Sequence, residues 1–168
     1  MNRENLNSFD IFNTLSNKEV DLFTKKIKLK SYTKDDIIMK EEDPGSSLLF
    51  LLSGEINITK SLTISTNKDG DKDNREKEFI RCKASDNIIF GEISLFSKES
   101  RRTASVKALE DCKVGFINNK DFFEICNANT DVGYKVLNNL IKIVTEKLIN
   151  TNHQVLKLTT AFSLMIDN

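Results

Sequence analysis

The stretch from Phe90 to Val106 brings a glycine, a carboxylate, a guanidinium and a hydroxyl close together in the chain. A strand ends at Phe90, and Gly91 lets the backbone approach a bound molecule closely. Glu92 comes next. Ile93, Leu95 and Phe96 are spaced to seat one helical turn on a core, and the outward N–H groups at the start of such a turn favour an anion. Beyond a polar loop, Arg102 opens another strand with a planar guanidinium whose donors are forked. Thr103 adds a hydroxyl and Ala104 leaves room. Together these residues make a nest for one phosphate, with Glu92 left to accept hydrogen bonds from a sugar hydroxyl. The plainer alternative is a Glu92–Arg102 ion pair that staples the loop. Arg101 adjoins Arg102, but strand alternation sends it to the opposite face.

These groups need a scaffold, and the sequence describes one. Ser16 and Glu19 have capping-box spacing ahead of Val20, Leu22 and Phe23, so the opening is a short amphipathic helix. From Ile27 to Ile117 the texture is short β-branched and aromatic runs: Ile27–Tyr32, Ile37–Met39, Leu48–Leu52, Ile56–Thr59, Glu78–Cys82, Ile88–Phe90, Ser105–Leu109 and Val114–Ile117. Turn signals separate them at Lys34-Asp35-Asp36, Asp43-Pro44-Gly45-Ser46, Ser53-Gly54, Ser85-Asp86 and Glu110-Asp111. Short strands at this spacing, with no crossover helices between them, predict a mainly β fold of the jelly-roll kind, a double-stranded β-helix or β-roll. Lys60 to Lys77 reads as a long solvated hairpin tip. Calcium does not suit it. Counting from Asn67 places Asp69, Asp71 and Glu78 at ligand positions, but Lys72 stands where the loop needs glycine.

The last third is helical. Asp121–Ile125 forms a short helix after Asn119, and Asn129 or Thr130 caps a much longer one running toward Met165. Leu137, Ile141, Val144, Leu148, Thr151, Val155, Leu158, Phe162 and Met165 alternate spacings of four and three without a break. That a/d seam predicts a coiled coil and a parallel homodimer. Leu140 and Ile149 widen the face near its start, so the first turns pack on the roll. Thr151 is the polar residue within the seam. Residues 1–128 are expected to form the roll with its flanking helices, residues 129–168 the dimerisation helix, and Phe122–Thr130 the hinge between them.

Phe-Gly-Glu, Leu-Phe and, about ten residues later, Arg-Thr-Ala resemble the phosphate-binding cassette of the cyclic-nucleotide-binding domain family. The likeness covers most of the chain: the N-terminal helix, Phe50-Leu51-Leu52-Ser53-Gly54-Glu55-Ile56 and the terminal long helix fall in family order. Ser85-Asp86 departs from the usual Gly-Asp, though Asp86 can still form the turn. The resemblance implies a ligand, cAMP or cGMP, and no bound cofactor. It implies that Gly91 and Glu92, between Phe90 and Ile93, meet the ribose 2′-hydroxyl region, and that Arg102 pairs with the cyclic phosphate because Thr103-Ala104 follows it. Thr103 would bond the phosphate or the base, with a lean toward cGMP, and Thr151 and Asn152 would reach the purine. An empty-pocket dimeric scaffold is the competing expectation.

Other function classes fit poorly. The chain of 168 residues is 30% charged with a formal net charge of +0, so no global field draws it to nucleic acid or anionic lipid. His153 is the single histidine and is expected at a surface or interface, which rules out a His-rich metal site and gives Cys82, Cys112 and Cys126 no positioned base. The protein is therefore not expected to be an enzyme. The cysteines form no CxxC pair and suggest a reducing compartment. No run approaches the roughly 20 apolar residues of a membrane span, and the opening residues lack a signal peptide's apolar run. A cytoplasmic location is expected. With the chain ending at Asn168, within or just past the long helix, no helix-turn-helix and no direct DNA binding are expected.

Overall fold

Ser16 N–H donates to Glu19 Oε2 at 2.6 Å, as the capping-box spacing implies. In the computed structural model, which describes residues 4–61, 76–97, 99 and 101–166, this bond opens helix α2 (Asn17–Thr24). Helix α1 (Glu4–Asn7) and a 3-10 turn at Asp10–Phe12 precede it. Then come β1 (Lys28–Tyr32), β2 (Ile37–Met39), β3 (Ser47–Ser53), β4 (Glu55–Ser61), β5 (Glu76–Lys83) and β6 (Ile89–Phe90). Helix α3 (Ile93–Phe96), β7 (Ser105–Ala108), β8 (Cys112–Asn118), α4 (Asn119–Ala128) and α5 (Thr130–Ile166) complete the order. Each run of β-forming residues between turn signals is a strand, so the mainly β roll expected from the sequence is the fold. Boundaries move by a residue or two. Ile27 precedes β1 and joins the core instead, where it is buried.

The strands form two antiparallel sheets, ordered β1-β8-β3-β6 and β2-β7-β4-β5. Strand β3 shows why its sequence is continuously apolar. Leu48 and Phe50 face a core shared with the helices, while Leu49 and Leu51 face a second core between the sheets. The helix-side core stacks aromatic rings, with Phe12 and Phe50 at 5.7 Å and Phe9 edge-on to Phe50 at 5.3 Å. The β4–β5 hairpin pairs as far as Ser61 and Glu76. Its expected solvated tip, with Asp69, Asp71 and Lys72, lies outside the described residues. Glu78 sits within β5 opposite Thr59.

Ser85-Asp86 does make its turn. Asp86 Oδ2 accepts Lys83 N–H at 2.9 Å, and Asn87 takes the left-handed position at φ 49°. Helix α4 is longer than Asp121–Ile125 because Asn118, one residue before the expected cap, accepts Asp121 N–H at 2.7 Å. Phe122 is fully buried inside α4, so the break expected across Phe122–Thr130 narrows to Asn129, with φ −134° and ψ 82°.

Helix α5 has two halves. Val132, Val136 and Leu140 enter the helix-side core, and buried Asn139 donates to Ile11 O and Thr14 Oγ1 at 3.1 and 2.9 Å. Leu137, placed on the seam by its spacing, packs against the rim of that core. From there on, Ile141, Val144, Leu148, Val155, Leu158 and Phe162 are 40–69% exposed. Among the described residues, no helix is long and apolar enough to cross a membrane.

Candidate functional site

Arg102 is the centre of the cassette, and it points inward. Its backbone is fixed by Arg102 N–H donating to Asp43 O and Glu42 N–H donating to Arg102 O, both at 2.9 Å. Arg102 does not open a strand, since β7 begins only at Ser105; its neighbour Arg101 forms an isolated bridge with Pro44 and turns outward, where Arg101 Nη1 donates to Glu42 O at 2.9 Å. Arg102 Nη1 donates to Ser47 O at 2.9 Å and to Ser94 Oγ at 2.8 Å, with a longer contact to Gly91 O at 3.4 Å. Nη2 donates to Ser47 Oγ at 2.8 Å. All of these acceptors are neutral. Arg102 is 7% exposed and has no carboxylate partner among the described residues, and burial alone pushes its basicity down.

Two glycines make room for that side chain. A Cβ at Gly45 would stand 2.1 Å from Arg102 Nε, and one at Gly91 would stand 2.5 Å from Nη1. Gly91 also sits at φ +78°, a conformation that side-chain-bearing residues resist. The Asp43-Pro44-Gly45 turn is therefore a wall of the guanidinium slot as well as a chain reversal.

The one-turn helix α3 faces differently from the expectation. Leu95 is buried, but Ile93 and Phe96 are 52% and 55% exposed. Ser94 takes the inward position, because its hydroxyl both donates to Gly91 O at 2.8 Å and accepts from Arg102. Phe96 packs edge-on against Phe123 at 5.6 Å instead of entering the core. Glu92 is buried but does not pair with Arg102. Its Oε1 accepts from Lys147 Nζ of α5 at 2.9 Å, so the loop-stapling ion pair is not formed.

These elements enclose a cavity of about 820 Å³ between the cassette, the inner face of the β4–β5 sheet and α5. The structure brings Phe90, Gly91, Glu92, Ile93, Arg102, Thr103 and Ala104 together on its wall. Ile58, Ile80, Cys82 and Val106 supply an apolar side. Helix α5 closes the third side with Lys147, Asn150, Thr151, His153, Gln154 and Lys157. Thr151 lines the cavity while its hydroxyl also donates to Lys147 O at 2.8 Å. Asn152 is not among the lining residues, because Lys147, Asn150, Thr151, Gln154 and Lys157 recur at spacings of three and four on one face of the helix and Asn152 falls on the opposite one.

A buried anion slot, a carboxylate beside it and a largely apolar cavity suit a small phosphorylated ligand. A family model described as "Cyclic nucleotide-binding domain" matches residues 29–129. The chain belongs to the cyclic nucleotide-binding domain family. The cAMP-activated global transcriptional regulator CRP of Haemophilus influenzae is 24% identical over 139 residues, 83% of this chain and 55% of that protein. The chain thus spans about half the length of the curated relatives it matches. A cyclic nucleotide-binding domain from Methylobacillus flagellatus superposes with a TM-score of 0.74 at 23% identity, over 91% of this chain and 79% of that one. The Thermus thermophilus catabolite activator protein superposes at 0.73 with 22% identity, over 89% and 63%. These structural likenesses establish the cyclic nucleotide-binding fold.

Sequence reasoning missed several residues of the cavity. Ser47 opens β3, more than fifty positions before the arginine it holds, and carries no signal in the sequence. Ser94 sits among apolar neighbours, Ile93, Leu95 and Phe96, whose spacing predicts that they face inward. Lys147 was findable, since it precedes Thr151 by four residues and so shares its helix face. His153 is exposed, as its type and position in a helix suggested, and it also stands at the edge of the cavity.

Proposed function

We propose that this chain is a cyclic-nucleotide receptor, with cAMP or cGMP held by the cassette and α5 serving as its dimerisation element. The observation that carries the reading is Arg102. A guanidinium this deeply buried, surrounded by neutral oxygens and with no counter-charge among the described residues, is costly to keep unless an anion joins it. Its Nε–H and one Nη2–H make no bond to a described residue, which leaves forked donors for a phosphate. Glu92 Oε2 is likewise left to accept from a ribose hydroxyl, and Thr103 stands beside the slot to bond the phosphate or the base.

Cyclic AMP is favoured by the description of the Haemophilus influenzae relative as cAMP-activated. The Thr103 hydroxyl, which can also reach a guanine amino group, favours cyclic GMP. The dimer is favoured by the a/d row from Ile141 to Phe162, whose apolar residues stay 40–69% exposed among the described residues. Ligand held between the roll and α5 would then bias the bend at Asn129, provided its contacts differ between the two positions of the helix.

Isothermal titration with each nucleotide tests the reading. Binding of either one in the micromolar range supports a receptor. No heat with either at millimolar concentration refutes it and leaves a dimeric scaffold with an unused cavity.

A further inference from the structure

The charge around the cavity is lopsided. Among the described residues, its lining includes the cations Lys60, Arg102, Lys147 and Lys157 against the single carboxylate of Glu92. Over the whole chain 25 basic and 25 acidic residues balance, so the excess is local. Lys147 is taken up by Glu92, with Nζ at 2.9 Å from Oε1. Arg102, Lys60 and Lys157 have no ionic partner among the described residues. Lys60 follows Thr59, which pairs with Ser105, so it stands beside Ala104 where β4 leaves β7. Alternation from Ile56 and Ile58 turns its side chain to the cavity face. Lys157 comes from the opposite wall. It is the last lining residue along α5, and at 1.5 Å per residue it stands about 15 Å beyond Lys147. Both lysines are exposed at the cavity mouth.

We infer that Lys60 and Lys157 form a second anion subsite between β4 and α5, and that the ligand carries two separate phosphate groups, as a cyclic dinucleotide does. The inference rests on the proposed placement of a cyclic phosphate at Arg102. A cyclic mononucleotide has one negative charge, and Arg102 takes it. Lys60 and Lys157 would then face the ligand with part of their water displaced and no counter-charge, which weakens the complex. A second phosphate between them turns that repulsion into two charge-assisted contacts. Ammonium groups on flexible stems suit the role, because they can follow a phosphate whose position is set by the rest of the ligand. The cavity has room for the larger molecule. Its volume of about 820 Å³ lies toward the upper end of the range for small-molecule sites, roughly 300–1,000 Å³. Ile58, Ile80 and Val106 offer an apolar wall to a base. A ligand bound in this way joins the β4–β5 hairpin to α5.

The test is isothermal titration of the full chain with cAMP, cGMP, cyclic di-AMP and cyclic di-GMP as probes. It compares the wild type with the double variant Lys60→Gln, Lys157→Gln, which removes both charges and keeps most of the side-chain length. Both positions are exposed, so the fold tolerates the changes, and thermal melts check it. An exposed ion pair contributes up to about fivefold in affinity. The wild type is therefore expected to bind a cyclic dinucleotide at least about fivefold more tightly than the matching mononucleotide. A smaller preference, or binding of the mononucleotides alone, overturns the inference and leaves the receptor reading standing. In the double variant the preference should fall by at least about threefold. A smaller fall places the second phosphate elsewhere and overturns the inference as well. A wild type that binds none of the four probes refutes the receptor reading itself, and the inference with it.

Discussion

Replacing Arg102 with methionine separates a structural arginine from a ligand-binding one, because the two roles predict different magnitudes. Without ligand, the change removes three good hydrogen bonds, to Ser47 O, Ser47 Oγ and Ser94 Oγ, each worth roughly 1 kcal/mol net. It also relieves the desolvation of an unpaired cation, so the unliganded protein should lose only about 1–2 kcal/mol. Binding should suffer more. The two uncommitted N–H groups would make charge-assisted bonds worth about 1.5–3 kcal/mol each, so the loss is about 3 kcal/mol or more, over a hundredfold in Kd. Nucleotide at 100 times the wild-type Kd stabilises the fold by about 2.7 kcal/mol. For a chain of this size that raises Tm by roughly 5–11 °C. With Kd weakened 150-fold, the same concentration gives about 0.3 kcal/mol, a shift near 1 °C. Differential scanning fluorimetry with and without nucleotide reads both quantities. If Arg102→Met retains most of the wild-type shift, the phosphate is not held by Arg102; if Arg101→Ala abolishes it instead, the slot is one residue away.

Three further outcomes follow from the geometry. Leu148→Lys or Val155→Lys should turn a dimer into a monomer in sedimentation velocity, and an unchanged mass would mean that the α5 row has another use. Gly91→Ala places a Cβ against Arg102 Nη1 and Ser47 O at a positive φ, so urea unfolding should show a loss of about 1–3 kcal/mol. Glu19 is held down to about 2 from its ordinary 4.5, first by the hydrogen bond from Lys135 at 2.8 Å and next by Ser16 N–H. A depressed carboxylate contributes stability above its unfolded value and loses it as pH falls toward the folded one. The Tm gap between the wild type and Lys135→Met should therefore be full at pH 6 and close between about 4.5 and 2; a gap indifferent to pH contradicts the pairing.

The roll was legible because its signals are local. Asp43-Pro44-Gly45 and Ser53-Gly54 punctuate the strands, and the unbroken Leu48–Leu52 run betrays a strand buried on both faces. Arg101 and Arg102 face opposite ways as expected, although both lie ahead of β7 and not within a strand. The site's second layer was not legible, because it is made by tertiary packing. Ser47 meets Arg102 only when two sheets close on each other, and Lys147 meets Glu92 only when α5 crosses the cassette. Spacing identified an apolar turn at Ile93-Leu95-Phe96 but could not weigh the hydrogen bonding of Arg102, which claims the inward position for Ser94. Along α5, the heptad reading runs through Leu137, but the helix-side core takes that residue first.

A crystal structure of the chain with cAMP or cGMP bound tests the central claim most directly. The account predicts a phosphate oxygen within about 3 Å of Arg102 Nε or Nη2, a ribose hydroxyl on Glu92 Oε2, and the base against Thr151. A nucleotide bound outside this cavity, or bound in it with the phosphate away from Arg102, contradicts the account.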